Sequence, residues 1–384
     1  MFSSRLDWDL RPNRIADALA ARTGTVLDLT ESNPTRAGFD YPAGIASCLA
    51  DARSLLYEPA PAGLQVAREA VAAAYAARGL EVRPDDIVLT PGSSEAYAWL
   101  FKLLAGPGDD VLVPRPSYPL FDFLAALESV RVVPYPLAYH GSWSLDLHEL
   151  ERAAGPRTRA VVVVNPNNPT GSFVKRAERD ALAAFCAARE LAIISDEVFS
   201  GYAFGPDSLR VASMAGAGDA LVFSLGGLSK MAGLPQMKLG WIAASGPDGL
   251  RRAAVERLEL IADTYLSVGT PVQHAAARLL AFGDAIRGQI AARVRRNLGR
   301  LRELAVGACE LLDAEGGWYA ILRVPRTRSE EEWALELLES DGVLVQPGYF
   351  YDFETEAYLV LSLLPPPAVF DEGAARVTER CGRF

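Results

Sequence analysis

The chain has 384 residues, half of them hydrophobic and 22% charged, a composition that sustains a large buried core and excludes a disordered or fibrous character. Its 38 basic residues stand against 48 acidic ones, and the formal charge of −10 opposes non-specific attraction to nucleic acid or to an anionic membrane. Only four of the basic residues are lysine, Lys102, Lys175, Lys230 and Lys238, so each lysine is informative.

Cys48, Cys186, Cys309 and Cys381 lie far apart, with no CxxC spacing and no histidine partner. Neither a metal site nor a disulfide framework is expected, and a reducing cytoplasm is the expected compartment. The opening MFSSRLDWDLRPNRIADALAA carries charges throughout, and no later apolar run reaches bilayer-spanning length. Neither export nor membrane insertion is expected.

From about residue 64 helix-period and strand-like segments alternate. LQVAREAVAAAYAAR (64–78) has a helical apolar face, DIVLT (86–90) reads as a strand, and SSEAYAWLFKLLAG (93–106) returns to helix. Further strand-like runs are DVLVP (110–114), RVVPYP (131–136), AVVVV (160–164), LAIIS (191–195), ALVFSL (220–225) and LGWIAA (239–244). Runs this rich in Val and Ile suit a parallel sheet covered on both faces. RGQIAARVRRNLGRLRELAVGA (287–308) then reads as a long connecting helix. WYAILRV (318–324), EEEWALELLES (330–340), GVLVQ (342–346) and YLVLSLL (358–364) form a smaller α+β set. The chain is accordingly divided into an N-terminal arm with part of a small domain (1–47), a large domain (48–286) and a small C-terminal domain (287–384).

The most informative stretch is SLGGLSKMAGLPQMKLGW (224–241), where Lys230 follows a strand-like run among glycines that permit close approach of a ligand. A solvated loop lysine is the ordinary reading; an apolar setting would instead favour a neutral, nucleophilic amine. PNNPTG (166–171) and SDEVFSG (195–201) likewise follow strand-like runs. In an open parallel sheet the carboxyl ends of strands face one ligand crevice, so the three segments can converge.

Together these segments are similar to the class I/II aminotransferases of the fold-type I pyridoxal-phosphate enzymes, the aspartate aminotransferase superfamily. The ordered matches are Tyr57 before Gly63, TPGSSEA (90–96), PRPSYP (114–119), NPNNPTG (165–171), SDE (195–197), SK (229–230) and PG (347–348), spread through nearly the whole chain. The resemblance implies a mainly parallel central sheet with helices on both faces plus a smaller α+β domain, pyridoxal 5'-phosphate as cofactor, and an amino acid and a keto acid as substrates. It implies that Lys230 forms the Schiff base and moves the proton, that Asp196 pairs with the pyridinium nitrogen, and that Asn168 bonds the cofactor's O3′ on the substrate side. Ser93, Ser94 and Ser229 would serve the phosphate, Tyr118 would stack on the ring, and Tyr57 would reach the phosphate of a neighbouring subunit, which implies a homodimer with shared active sites.

Four positions depart from the family pattern. Lys238 replaces the usual phosphate-gripping arginine, a point charge in place of a bidentate fork. Gly227 stands at a usual serine position, and Phe199 stands where a tyrosine commonly donates to O3′. Val360 replaces the arginine that clamps the substrate carboxylate, with Ser362 in place. Arg36, in SNPTRAGF, is the leading substitute cation, with a surface arginine as the alternative. Amino transfer is the expected reaction. The missing clamp motivates an alternative, a lyase, cyclase, decarboxylase or oxidase acting on an amino acid, and a non-catalytic domain retaining the fold is a third possibility. GYFYDF (348–353) would line the pocket near Val360 or else belong to an ordinary core.

Overall fold

Apolar runs without polar alternation make strands that must be covered on both sides, and eight of them associate into one sheet. They are β1 (Ile87–Thr90), β2 (Asp110–Arg115), β3 (Arg131–Tyr139), β4 (Trp143–Leu145), β5 (Thr158–Val164), β6 (Ala192–Asp196), β7 (Val222–Gly227) and β8 (Gly240–Ser245). The computed structural model describes residues 2–307 and 309–383. Met1, Ala308 and Phe384, which fall within the terminal divisions and at the end of the helix read over 287–308, lie outside the described residues.

The strand order is β1-β8-β7-β6-β5-β2-β3-β4. From β7 to β3 all neighbours are parallel, whereas β8 runs antiparallel to both β7 and β1, and β4 antiparallel to β3. Successive residues of β6 feed two different cores: Ile193 joins one hydrophobic cluster and Ile194 the other. The expected mainly parallel sheet with helices on both faces is thus what the chain forms. A second, antiparallel sheet orders Glu310–Leu311, Tyr319–Arg323, Tyr358–Ser362 and Gln346–Pro347, and a short parallel pair joins Leu27–Asp28 to Val343–Leu344.

Two expected elements differ. The connecting helix starts at Thr270, not 287, and runs unbroken to Ala305. Pro271 suits its first turn, and Gly283 and Gly288 are absorbed into it. The division placed at 286/287 therefore falls inside one continuous helix. GVLVQ is not one strand: Val343–Leu344 pairs with the N-terminal segment, and Gln346–Pro347 with Tyr358–Ser362.

Close approach explains one glycine of the long helix. It packs against the single turn Leu228–Met231 that carries Lys230, and a Cβ at Gly283 would lie 2.4 Å from Ala232 Cβ and 2.9 Å from its Cα. Gly283→Ala is therefore expected to destabilise the fold by about 1–3 kcal/mol despite its better helix propensity. Urea denaturation checks this, and an unchanged midpoint would mean that the two helices separate freely.

Candidate active site

The topology brings the carboxyl ends of β1, β2, β5, β6 and β7 to one edge of the sheet. β1 leads through Gly92 into the helix Ser93–Leu104, β2 leads to Tyr118, and β5 to Asn168. β6 ends on Asp196 itself, and β7 runs through Gly227 into the turn bearing Lys230. Lys238 arrives beside them because β8 is antiparallel and starts at that edge. A cavity of about 310 Å³ opens there, lined by Ser93, Ser94, Tyr118, Asn168, Asp196, Phe199, Ser229, Lys230 and Lys238 among others.

The three asparagines of NPNNP separate by their bonding. Asn165 Oδ1 accepts from Val174 N at 3.0 Å, and Asn167 Nδ2 donates to Pro116 O at 3.0 Å and to Thr170 Oγ1 at 2.9 Å. These two hold the loop. Asn168 lines the cavity with its Oδ1 buried and without a hydrogen-bond partner. A native protein rarely leaves such an atom unsatisfied, so it points to a ligand donor.

Asp196 and Lys230 share the electrostatics of the cavity. Burial raises the Asp196 pKa to about 6, against two donors, Val198 N on Oδ1 at 3.1 Å and Tyr97 Oη on Oδ2 at 3.1 Å. Burial lowers the Lys230 pKa from its ordinary value, opposed by the charge of Asp196. The ammonium position lies 5.1 Å from the Trp318 ring centroid and 5.9 Å from that of Phe199, and Trp318 and Phe199 pack edge to face. Tyr202 Oη donates to the Lys230 carbonyl at 2.6 Å, fixing the backbone beneath the amine.

At the far end of the cavity, Gly92 precedes the helix Ser93–Leu104, whose first N–H groups and positive dipole end suit an anion. A Cβ at Gly92 would stand 3.8 Å from Lys238 Nζ, so the lysine reaches the mouth of that helix. At Gly227 a Cβ would crowd Gly240 Cα at 3.2 Å and Leu239 O at 3.3 Å, which accounts for the small residue at that position.

Two expected residues lie apart from this group. Tyr57 is 72% exposed and lines a separate surface pocket with Trp99 and Leu266, and Arg36 is exposed outside the cavity lining. Val360 faces the same side of its sheet as Tyr319, a lining residue, because Ile321 pairs with Val360 and Tyr319 with Ser362. Val360 is nevertheless fully buried. The residues 348–353 do not line the cavity; Tyr351 instead packs edge-on against Tyr319 and bonds Gln346.

Tyr97, Ser32, Trp318 and Tyr319 were not singled out in the sequence. Tyr97 had a usable signal, since it lies one turn beyond Ser93 on the same helix face. Trp318 and Ser32 come from distant segments with no local pattern.

This lining fits pyridoxal 5'-phosphate. Lys230 would hold it covalently, Asp196 would meet its ring nitrogen, Asn168 would offer its amide N–H to the ring oxygen, and the helix mouth with Lys238 would take its phosphate. Among the described residues, no helix is long and apolar enough to cross a membrane.

Comparison with known proteins agrees with this reading. The model of the family described as aminotransferase class I and II matches residues 25–373. The chain is 28% identical over 384 residues to the glutamate-pyruvate aminotransferase of Escherichia coli, covering 94% of this chain and 93% of that protein. The crystal structure of an aminotransferase from Escherichia coli superimposes with a TM-score of 0.87 at 26% identity, covering 100% of this chain and 98% of that one. An S-alkyl-thiohydroximate lyase of Arabidopsis thaliana is 33% identical over 233 residues, 59% of this chain and 50% of that protein.

The buried carboxyl has a measurable consequence without any ligand. Because its folded pKa of about 6 exceeds the ordinary 3.8, Asp196 costs stability in full above pH 6, and the cost fades as the pH falls towards 4. In the cofactor-free protein, the stability of wild type relative to Asp196→Asn is expected to improve on acidification from pH 7 to 4, by at most about 3 kcal/mol. Glu197 and Lys230 are present in both proteins and act on Asp196 through their charges, so the difference reports Asp196 in that setting. Paired thermal melts across this range test it, and a difference independent of pH would overturn the assignment.

Proposed function

The chain belongs to the class I and II aminotransferase family, and on that premise we propose how its residues carry out pyridoxal 5'-phosphate-dependent transfer of an amino group between an amino acid and a 2-keto acid. When bound, the cofactor supplies an electrophilic carbonyl for the amino group and a ring that accepts electrons from the substrate carbon. Lys230 is the covalent attachment point and, once free, the base that moves the proton; an amine depressed by burial is suited to both tasks. Asp196 keeps the ring nitrogen protonated, and Asn168 donates to the ring oxygen through its amide. Ser93, Ser94, Ser229 and Lys238 hold the phosphate, Tyr118 covers one ring face, and Phe199 contributes an apolar wall where no hydroxyl is offered. The observation that carries the reading is one cavity in which a half-buried amine, a half-buried carboxylate and an orphaned amide oxygen meet.

Substrate recognition differs from the common pattern. The cationic side chains lining the cavity, among the described residues, are Lys230 and Lys238, both committed to the cofactor. Arg36 is our candidate for the substrate carboxylate, supported by the short segment that connects it to the lining residue Ser32. The lyase-type alternative is not favoured, since the relatives that span nearly the whole chain are named for amino transfer.

The site is further proposed to be completed in a homodimer. Leu55, Tyr57 and Leu260 are 92%, 72% and 72% exposed, an apolar surface suited to a second copy that would bring Tyr57 towards the other subunit's phosphate. The arm 1–47, the large domain 48–286 and the small domain 287–384 remain our proposed division, and the cytoplasm our proposed compartment, supported by the spacing of the thiols.

Purified enzyme supplied with cofactor, L-alanine or L-glutamate and a 2-keto acid is expected to form the new amino acid and the new keto acid in equal amounts; release of ammonia without a new amino acid would overturn amino transfer. Borohydride treatment is expected to leave a pyridoxyl group on Lys230, detected by peptide mass spectrometry. Lys230→Ala should show none, and retained attachment would remove Lys230 from its role. Arg36→Ala is expected to raise KM for the amino acid and lower kcat/KM by about tenfold or more. An unchanged kcat/KM would clear Arg36.

A further inference from the structure

The helix Ser93–Leu104 does more than offer its N-terminus. One turn after Ser93, Tyr97 is 3% exposed, lines the cavity, and donates its hydroxyl to Asp196 Oδ2 at 3.1 Å. Its ring is set edge to face on Phe121 at 5.2 Å and against Phe101 at 6.0 Å, so the hydroxyl has little freedom to leave the carboxylate. The other oxygen of Asp196 accepts from Val198 N at 3.1 Å. The backbone donor is fixed by the turn after β6, and the phenol is the side-chain donor opposite it.

We propose that Tyr97 is a positioning residue for amino transfer, holding Asp196 in the orientation and the ionised state that a protonated ring nitrogen requires. The helix thereby acts at both ends of the cofactor, with Ser93 and Ser94 at the phosphate and Tyr97 behind the carboxylate. A carboxylate sealed from water favours its neutral form, and each donor aimed at it shifts the balance back. The phenol is well suited to this, because burial and the neighbouring charge of Asp196 keep its own proton in place far above neutral pH. The other groups acting on this pair are Lys230 across the cavity, which favours the ionised carboxylate, Glu197 next in the chain, which opposes it, and Tyr118 and Tyr135, both phenols.

The inference rests on Asp196 as the ring-nitrogen partner, and a double-mutant cycle separates the two. Cofactor affinity of the apoprotein is measured by quenching of tryptophan fluorescence from pH 5 to 9 for wild type, Tyr97→Phe, Asp196→Asn and the double variant. Tyr97→Phe keeps the ring packing and removes only the donor. It is expected to weaken binding of pyridoxal 5'-phosphate about tenfold near pH 7, the loss of one hydrogen bond to a charged group, and to move the pH midpoint of affinity upward. In the Asp196→Asn background the same change is expected to alter affinity by less than about twofold, because the charge it serves is gone. An equal loss in both backgrounds would make Tyr97 a packing residue and overturn the proposal, as would a Tyr97→Phe affinity and midpoint like those of wild type. If Asp196→Asn itself binds cofactor as wild type does, the role of Asp196 fails and that of Tyr97 with it. Should Tyr97→Phe not fold by circular dichroism, Tyr97→Met takes its place in the cycle.

Discussion

Placing an acid and an amine together out of water makes each of them reluctant to carry its charge, and the active edge of this sheet is organised around that constraint. Burial pushes Asp196 up and Lys230 down, and their mutual attraction opposes both shifts without abolishing them. The protein thus holds, before any ligand enters, an amine with increased neutral character next to a carboxylate that lacks a full counter-charge. Asp196 would take its counter-charge from a cationic ring nitrogen, and Lys230 would offer its neutral amine to an electrophilic carbonyl. On the proposed roles, binding free energy and chemical poise would come from the same pair.

Such a pair persists only if its surroundings cannot relax. Glu197, next to Asp196 but bonded on the other side of the strand end, accepts on one oxygen from Ser195, Ser213 and Ser224 hydroxyls and from Met214 N. That oxygen ties the end of β6 to the middle of β7 and to the segment after residue 212, bracing the strand end that carries Asp196. On the opposite flank Glu315 pairs with Lys175 and Arg210 and accepts from Phe173 N, anchoring the segment that delivers Trp318 over Lys230. Gly316 closes the same contact, since a Cβ there would lie 2.6 Å from Tyr202 O. The apolar lid over the amine is therefore fastened by ions placed outside the cavity, where water can still screen them.

Much of this was legible in the sequence because it is local. Val-rich runs followed by loop residues gave the strand ends, and Lys230, Asp196 and Asn168 each sit within a few residues of such an end. The start of the long helix was not legible: Gly283, a poor helix former, is kept there by its close contact with Ala232 from a distant turn. GVLVQ misled for a related reason: its two halves answer to different sheets, and pairing partners more than 300 residues away in one case leave no trace in the run itself. Tyr97 was hidden among helix formers whose other members, Trp99, Leu100 and Phe101, are plain core. Its distinction is one hydrogen bond to a residue 99 positions away.

Val360 shows what a single position means once its neighbours are known. It faces the cavity side of the small sheet, yet Ile321 and Gln346 flank it in register, Tyr351 bonds Gln346, and Tyr319 stands between this layer and the cavity. Val360 is fully buried, so an arginine at this position would require burying a guanidinium beside Ile321 and Gln346. The loop after Thr30 is anchored to the same sheet by the Ser362 hydroxyl donating to Glu31 O at 2.6 Å, and its residue Ser32 lines the cavity, which is why our proposal looks to this loop for the cation that would meet a substrate carboxylate.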